Sequence, residues 1–400
     1  MKGALSWPFL RLYVLTLLYF SANSILNVII PLKGAALGAS NTTIGVIMGA
    51  YLLTTMVFRP WAGSLIQRYG PIRVLRMLLA FHAAALLLYT FTGLEGYFLA
   101  RVLQGVCTAF FSMALQLGII DALPDKDRSQ GISMYSLCSY MPGIFGPLLA
   151  IGIWQTGEPG VFAVWMIAIA VLTGAVGLTA RIGQPQQEEE SRGAAPISGA
   201  AMVKTIGQLA SNPHLFRCGI LMLGASVAFG AIAAFVPLYA QEIQGGSAAI
   251  FLMTQAAVVV AARFVLRSRI PSDGRWRSSF VGCIMLLSLL AALAVSFSSN
   301  AGAGLFYTGA ILLGIAQALL YPTLTTYLSF VLPKSQRGTL IGLFIATADL
   351  GVSLGGIVMG PVADWSSYST MYLICAILIA SASAVAIWRK PYEMRSEAID

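Results

Sequence analysis

The chain of 400 residues would fill roughly two or three soluble domains, yet 58% of it is hydrophobic and only 10% is charged, where a soluble domain carries about 25% charge. So few charged side chains cannot cover a surface against water, which excludes an ordinary soluble enzyme and points to an integral membrane protein. The balance is basic, 24 Lys and Arg against 15 Asp and Glu for a net +9, but the cations fall in short gaps between apolar runs, the pattern of membrane topology and not of nucleic-acid binding.

A helix needs about 20 apolar residues to cross the hydrocarbon core. Charge-free windows of that order run over 12–32, 34–58, 77–94, 102–120, 129–157, 159–180, 218–241, 243–262 and 365–388. The long window 278–333 breaks at Ser298-Ser299-Asn300-Ala301-Gly302 and holds two spans, and 338–363, interrupted only by Asp349, holds one more. These windows predict an all-α membrane protein of twelve transmembrane helices. With both termini in the cytoplasm, every cation except Lys33 and Arg101 falls at or near the cytoplasmic side, as the positive-inside rule requires. The stretch 183–212, GQPQQEEESRGAAPISGAAMVKTIGQLASN, reads as a flexible cytoplasmic linker, with Glu188-Glu189-Glu190 as a solvated run. It separates a six-helix bundle over 1–182 from a second over 213–400. The bundles are weak repeats: Pro31-Leu32 matches Pro237-Leu238, Leu123-Pro124 matches Leu332-Pro333, and Gly105 and Arg128 match Gly314 and Arg337. A duplication of this kind belongs to transporters, whose substrate site lies between the halves near the bilayer midplane.

Polar residues inside spans are costly and mark such sites. On the fourth span Arg101, Gln104, Thr108, Ser112 and Gln116 share one stripe of an otherwise apolar helix. Asn23 and Asn27 share a face of the first span, and Gln317, Tyr321, Thr325 and Ser329 follow at steps of four on the tenth. These residues are candidates for a central aqueous route, with snorkelling of Arg101 and plain interhelical hydrogen bonding as the alternatives. Asp349 is the one acid deep within a span; it is a candidate proton carrier or a structural partner of an arginine. Arg59 and Arg263, one or two turns above the cytoplasmic face of spans two and eight, either snorkel or offer a guanidinium fork to a substrate carboxylate. His82 and His214 stand singly. The five cysteines each lie alone in an apolar run, so neither a disulfide framework nor a metal site is indicated. No phosphate-binding loop, zinc-protease motif or nucleophile triad occurs, and the expectation is a secondary transporter with no cofactor rather than an enzyme.

Local motifs resemble those of the major facilitator superfamily. Gly63-Ser-Leu-Ile-Gln67-Arg68-Tyr-Gly70-Pro-Ile-Arg73 is similar to that family's GxxxDRxGRR gating loop, with Gln67 where the family usually has Asp. Arg101-Val-Leu-Gln104-Gly105 matches its RxxQG motif, whose arginine the resemblance implicates in proton coupling. Pro142-Gly143-Ile-Phe-Gly146-Pro147 is an incomplete match to the exporters' GxxxGPxxGG element, departing at Ala150 and Ile151. By that likeness Gly63, Arg68, Gly70, Arg73, Gly146 and Pro147 are gating residues. Longer stretches, 3–32, 48–63, 93–124, 321–333 and 346–361, resemble the staphylopine-type opine metallophore exporters. The resemblance implies export of a metal-free, nicotianamine-like opine across the cytoplasmic membrane of a bacterium by alternating access. It also implies drive by proton antiport and function as a monomer. A broad drug/proton antiporter of the same superfamily is the alternative.

Overall fold

A computed structural model describes residues 3–180, 212–266, 269–271, 274–333 and 337–387. The linker expected at 183–212 lies outside the described residues except for Asn212.

Hydrocarbon offers no hydrogen-bond partner to the backbone, so a long apolar run folds as a helix. The first half contains α1 (Trp7–Ala36), α2 (Asn41–Tyr69), α3 (Pro71–Phe91), α4 (Leu94–Ala122), α5 (Asp125–Tyr140), α6 (Pro142–Gln155) and α7 (Pro159–Thr179). The second contains α8 (Pro213–Tyr239), α9 (Ala248–Val265), α10 (Ser278–Ala301), α11 (Ala303–Val331), α12 (Arg337–Ile357), α13 (Met359–Trp365) and α14 (Tyr368–Ile387). Fourteen helices make twelve candidate spans among the described residues, because two expected spans are each interrupted by a proline. Span five breaks between α5 and α6, where Pro142 has no N–H to give, although Met141 keeps helical dihedrals of φ −51° and ψ −39°. Span eleven breaks between α12 and α13, just before Pro361. Sequence chemistry sets other boundaries too. Prolines open α3, α6, α7 and α8 at their first turns. Asn212 caps α8 by accepting the His214 and Leu215 N–H groups at 3.1 Å. Gly70, at φ +81°, turns the chain from α2 directly into α3.

The two halves pack against each other along three lines: α1 on α8, α2 on α12 and α13, and α6 on α9. On the α2–α12 line glycines let backbones touch. A Cβ built on Gly49 would stand 2.6 Å from the Ser353 carbonyl, one on Gly360 2.6 Å from the Asn41 carbonyl, and one on Gly45 would run into the backbone of Gly356. This is small-residue packing of the kind that joins helices in membranes. The turns α1–α2, α3–α4, α6–α7, α8–α9, α10–α11 and α13–α14 follow odd-numbered spans and form one end of the bundle. This far end lies opposite the end that carries the linker.

Gly45→Ala puts a methyl group against the Gly356 backbone, which has no flexible side chain to move aside. We expect it to lower stability by about 1–3 kcal/mol, read as a lower thermal unfolding midpoint in detergent. Gly174→Ala on α7, where a Cβ meets nothing within 4 Å, should leave the midpoint unchanged or raised.

Candidate functional site

The fourth span places Arg101 wholly inside the first half, at 0% exposure. Its guanidinium is held from three helices. Nη1 donates to Asn23 Oδ1 and Nη2 to Asn27 Oδ1, each at 2.8 Å, from asparagines one turn apart on α1. Gln104 Oε1 lies 3.4 Å from Nη1, and Met48 Sδ of α2 lies 3.4 Å from Nη2. The Tyr51 ring stands 5.4 Å from the guanidinium carbon, within cation–π range. Gln104 is fixed in turn by the Tyr89 hydroxyl of α3, donating at 3.0 Å.

Each of these partners is neutral. Among the described residues the only carboxylate within ion-pair distance of a cation is Asp349, on Arg59. Among the described residues no carboxylate therefore offsets the Arg101 guanidinium in its buried place. Such a charge costs several kcal/mol in hydrocarbon, by contested scales, and its hydrogen bonds return about 1.5–3 kcal/mol each. Arg101 Nε and Gln104 Nε2 find no protein acceptor. Asn23 and Asn27 are half-buried and form the accessible side of the cluster.

A second cluster lies one to two turns along α4. Thr108 Oγ1 meets the Tyr19 hydroxyl at 2.9 Å and the Tyr51 hydroxyl at 3.0 Å. Tyr19 is stacked between His82, at 4.2 Å, and Phe111, at 3.8 Å. Tyr51 joins the two clusters, since its ring faces Arg101 while its hydroxyl reaches Thr108. The stripe expected on the fourth span then divides. Ser112 turns its hydroxyl back to the Thr108 carbonyl at 2.8 Å, and Gln116 is exposed beside Tyr135, with which it hydrogen-bonds.

In the second half Gln317 Oε1 accepts from Gln255 Nε2 at 3.0 Å, and Tyr321 stacks on Phe344 at 6.0 Å. Neither meets the Arg101 cluster in any hydrogen bond or ring contact. Arg59 and Arg263 cross between the halves. Arg59 of α2 forms an ion pair with Asp349 of α12, Nε to Oδ2 at 2.9 Å. Arg263 of α9 donates to the Tyr140 hydroxyl of α5 at 2.8 Å, with its guanidinium 4.1 Å from that ring and Ser136 Oγ at 3.5 Å. Neither guanidinium joins Arg101.

At the linker end Gly63 has open space around its α-carbon, Arg68 is exposed over the Tyr69 ring at 5.4 Å, and Arg73 is exposed on the first turn of α3. The Gln67 side chain lies outside the described residues. Gly146 packs on Ser24 of α1, whose hydroxyl donates to the Pro142 carbonyl at 2.8 Å, and Pro147 is buried beside it. Among the described residues no three His, Cys, Asp or Glu side chains come together as a metal site. Sequence reasoning missed Tyr51, Tyr89, Met48 and Gln255. A polar tip on an isolated Tyr or Gln within an apolar span was the available signal for three of them, and Met48 carried none.

The family model of the Major Facilitator Superfamily matches residues 12–272 and 272–398. The chain is 53% identical over 391 residues to the Staphylopine export protein of Staphylococcus aureus, covering 98% of each chain. Solved structures share the fold at low identity. The nucleoside transporter NupG aligns with a TM-score of 0.76 at 15% identity, over 94% of this chain and 98% of that one. A bacterial homologue of the human lysosomal transporter Spinster, in an inward-facing and unoccupied conformation, aligns with a TM-score of 0.75 at 14% identity, over 96% of this chain and 97% of that one. With twelve apolar helices long enough to cross a membrane, the chain belongs to the Major Facilitator Superfamily and is a multi-pass membrane transporter, not an enzyme.

Proposed function

We propose that this protein exports a metal-free, opine-type metallophore across the cytoplasmic membrane by alternating access, in exchange for protons. In this reading the two six-helix bundles rock about the contacts between them, the linker and both termini are cytoplasmic, and the far end faces outside. The observation that carries the reading is Arg101, a buried guanidinium facing only neutral acceptors. A guanidinium fork matches a carboxylate with two parallel charge-assisted bonds, and an opine of this class carries several carboxylates and amines. The asparagine and glutamine amides around Arg101 supply both donors and acceptors for such a zwitterion. The name of the relative from Staphylococcus aureus narrows the substrate class.

Asp349 is the proton carrier in this scheme. Its carboxylate is held by Arg59 of the opposite half, and a protonated carboxyl no longer attracts a guanidinium. Uptake of a proton would therefore loosen one contact between the halves, which links protonation to rocking. Arg263, bound to Tyr140, makes the corresponding crossing on the other side. Gly63, Gly70, Arg68 and Arg73 line the hinge loop at the inner end, and Gly146 with Pro147 sets the packing of α6 on α1.

The reading is tested by mass spectrometry of the opine in cells and medium, with its biosynthetic genes co-expressed. Deletion of the transporter should trap the opine inside, and the intact gene should return it to the medium. An unchanged distribution would turn the assignment toward drug efflux. Arg101→Ala should lower export by roughly tenfold or more, given about 1.5–3 kcal/mol per lost charge-assisted bond, while the protein still reaches the membrane. Near-normal export would remove Arg101 from the mechanism. Asp349→Asn should abolish the response of export to an imposed pH gradient in vesicles; if proton-driven flux survives, another group carries the proton.

A further inference from the structure

At the far end the α1–α2 turn of one half meets the α13–α14 turn of the other. Asp364, on the last turn of α13, lays its carboxylate over the N-terminus of α2. Oδ1 accepts the Asn41 N–H at 2.8 Å, and Oδ2 accepts the Thr42 N–H at 2.8 Å and the Thr42 hydroxyl at 2.6 Å. One turn-residue away the Tyr368 hydroxyl donates to Asn41 Oδ1 at 2.6 Å. A carboxylate at a helix N-terminus gains from both the free N–H groups and the helix dipole.

The start of α2 does not depend on this carboxylate. Ser40 already caps the helix, accepting the Thr43 N–H at 3.2 Å, and the half-buried Asn41 and Thr42 N–H groups, at the rim of the bundle, could bond to water. The repeat-related helix α9 begins in just that way. Ser247 accepts the Ile250 N–H at 3.4 Å, and among the described residues no carboxylate of the other half bonds to its first turn. What Asp364 adds is a bond between halves. Its position is also informative: Asp364 is exposed, so its bonds exchange with bonds to water at little net cost. A buried carboxylate could not do so. Beneath it, α2 and α12–α13 approach backbone to backbone at Gly45, Gly356 and Gly360, with the Ile357 side chain against Gly49, and further along the same helices are joined by the Arg59–Asp349 ion pair.

We propose that Asp364 is a reversible clasp on the far-end gate: it holds α2 to α13 while the site opens toward the linker end, and it releases the α2 N-terminus each time the far end opens. The proposal rests on the alternating-access reading above, but its test does not need the substrate.

Spin labels at Glu95→Cys and Asn300→Cys, exposed at the far-end tips of α4 and α10 in opposite halves, would report the far-end opening by double electron–electron resonance. The background would have Cys107, Cys138, Cys218, Cys283 and Cys375 replaced. Asp364→Ala should move the distance distribution to longer values and raise the open population by about tenfold. Asn41→Pro serves as a second variant should Asp364→Ala not fold. It removes one donor and the Tyr368 contact but keeps the helix start, because Asn41 is the first helical residue and Ser40 already has an extended backbone, φ −66° and ψ 157°. It should widen the distance in the same direction. Distances identical to the parent in Asp364→Ala, with only faster deuterium exchange at Asn41 and Thr42, would reduce Asp364 to a local helix cap and overturn the proposal. Export measured in the same background separates the two ideas. Widening without any opine export removes the substrate assignment and leaves the clasp standing.

Discussion

Hydrocarbon has no hydrogen bond to offer, and that constraint shapes both the scaffold and the site. It makes every span a helix, and it turns lone hydroxyls back onto their own helices. Thr16 donates to the Leu12 carbonyl at 2.8 Å, Ser353 to the Asp349 carbonyl at 2.9 Å, and Thr55 to Tyr51 at 2.9 Å. A guanidinium cannot be satisfied that way, because it has five donors and a charge. Arg101 therefore organises its surroundings: two asparagines spaced one turn apart on α1, a glutamine one turn along its own helix, and a tyrosine ring from α2. Three helices of the first half are locked together by a group that, as an isolated residue, opposes folding in the membrane.

The spans and the duplication were legible because each depends on composition over about 20 residues, which a single sequence displays directly. The Arg101 neighbourhood was legible in part, since Asn23 and Asn27 repeat at four-residue spacing and Gln104 follows at three. The fourth-span stripe overreached for a geometric reason. Arg101 and Gln116 share a face, but at 1.5 Å per residue they stand about 22 Å apart along the axis. One face is thus not one site, and Gln116 ends beside Tyr135 at the linker end. Pairings across the halves were beyond reach. Nothing local to Arg59 or Asp349 tells which arginine meets the carboxylate, and nothing in the α1–α2 turn announces that Asp364, more than three hundred residues on, caps it. Those contacts exist only once two bundles are docked.

The docking itself is symmetric in geometry and unlike in chemistry. Repeat-related α2 and α9 each send an arginine across the interface from near the same end. Arg59 finds a carboxylate, whereas Arg263 finds the face and hydroxyl of Tyr140. The same division holds at the far end, where α2 is capped by Asp364 and α9 by its own Ser247 alone. Among the described residues, both carboxylates that reach across the halves, Asp349 and Asp364, lie on the α2–α12–α13 wall. Beside the α6–α9 wall, α5 and α9 are joined by cation–π and hydroxyl contacts between Arg263, Tyr140 and Ser136.

That asymmetry matters if the protein exchanges its substrate for protons, as proposed above. If both walls carried ion pairs, a change in charge on one would leave the other holding the halves in place, and the rocking motion would need two events at once. Under the proposed exchange, neutralising Asp349 would alter one side of the interface and leave the Tyr140 contact in place as the axis. The glycine contacts fit this role, because at Gly45 and Gly356 backbone meets backbone, with few side chains to part. In that reading the wall that moves carries the carboxylates, exposed at Asp364 and buried at Asp349, and the wall that stays carries the Arg263–Tyr140 contact.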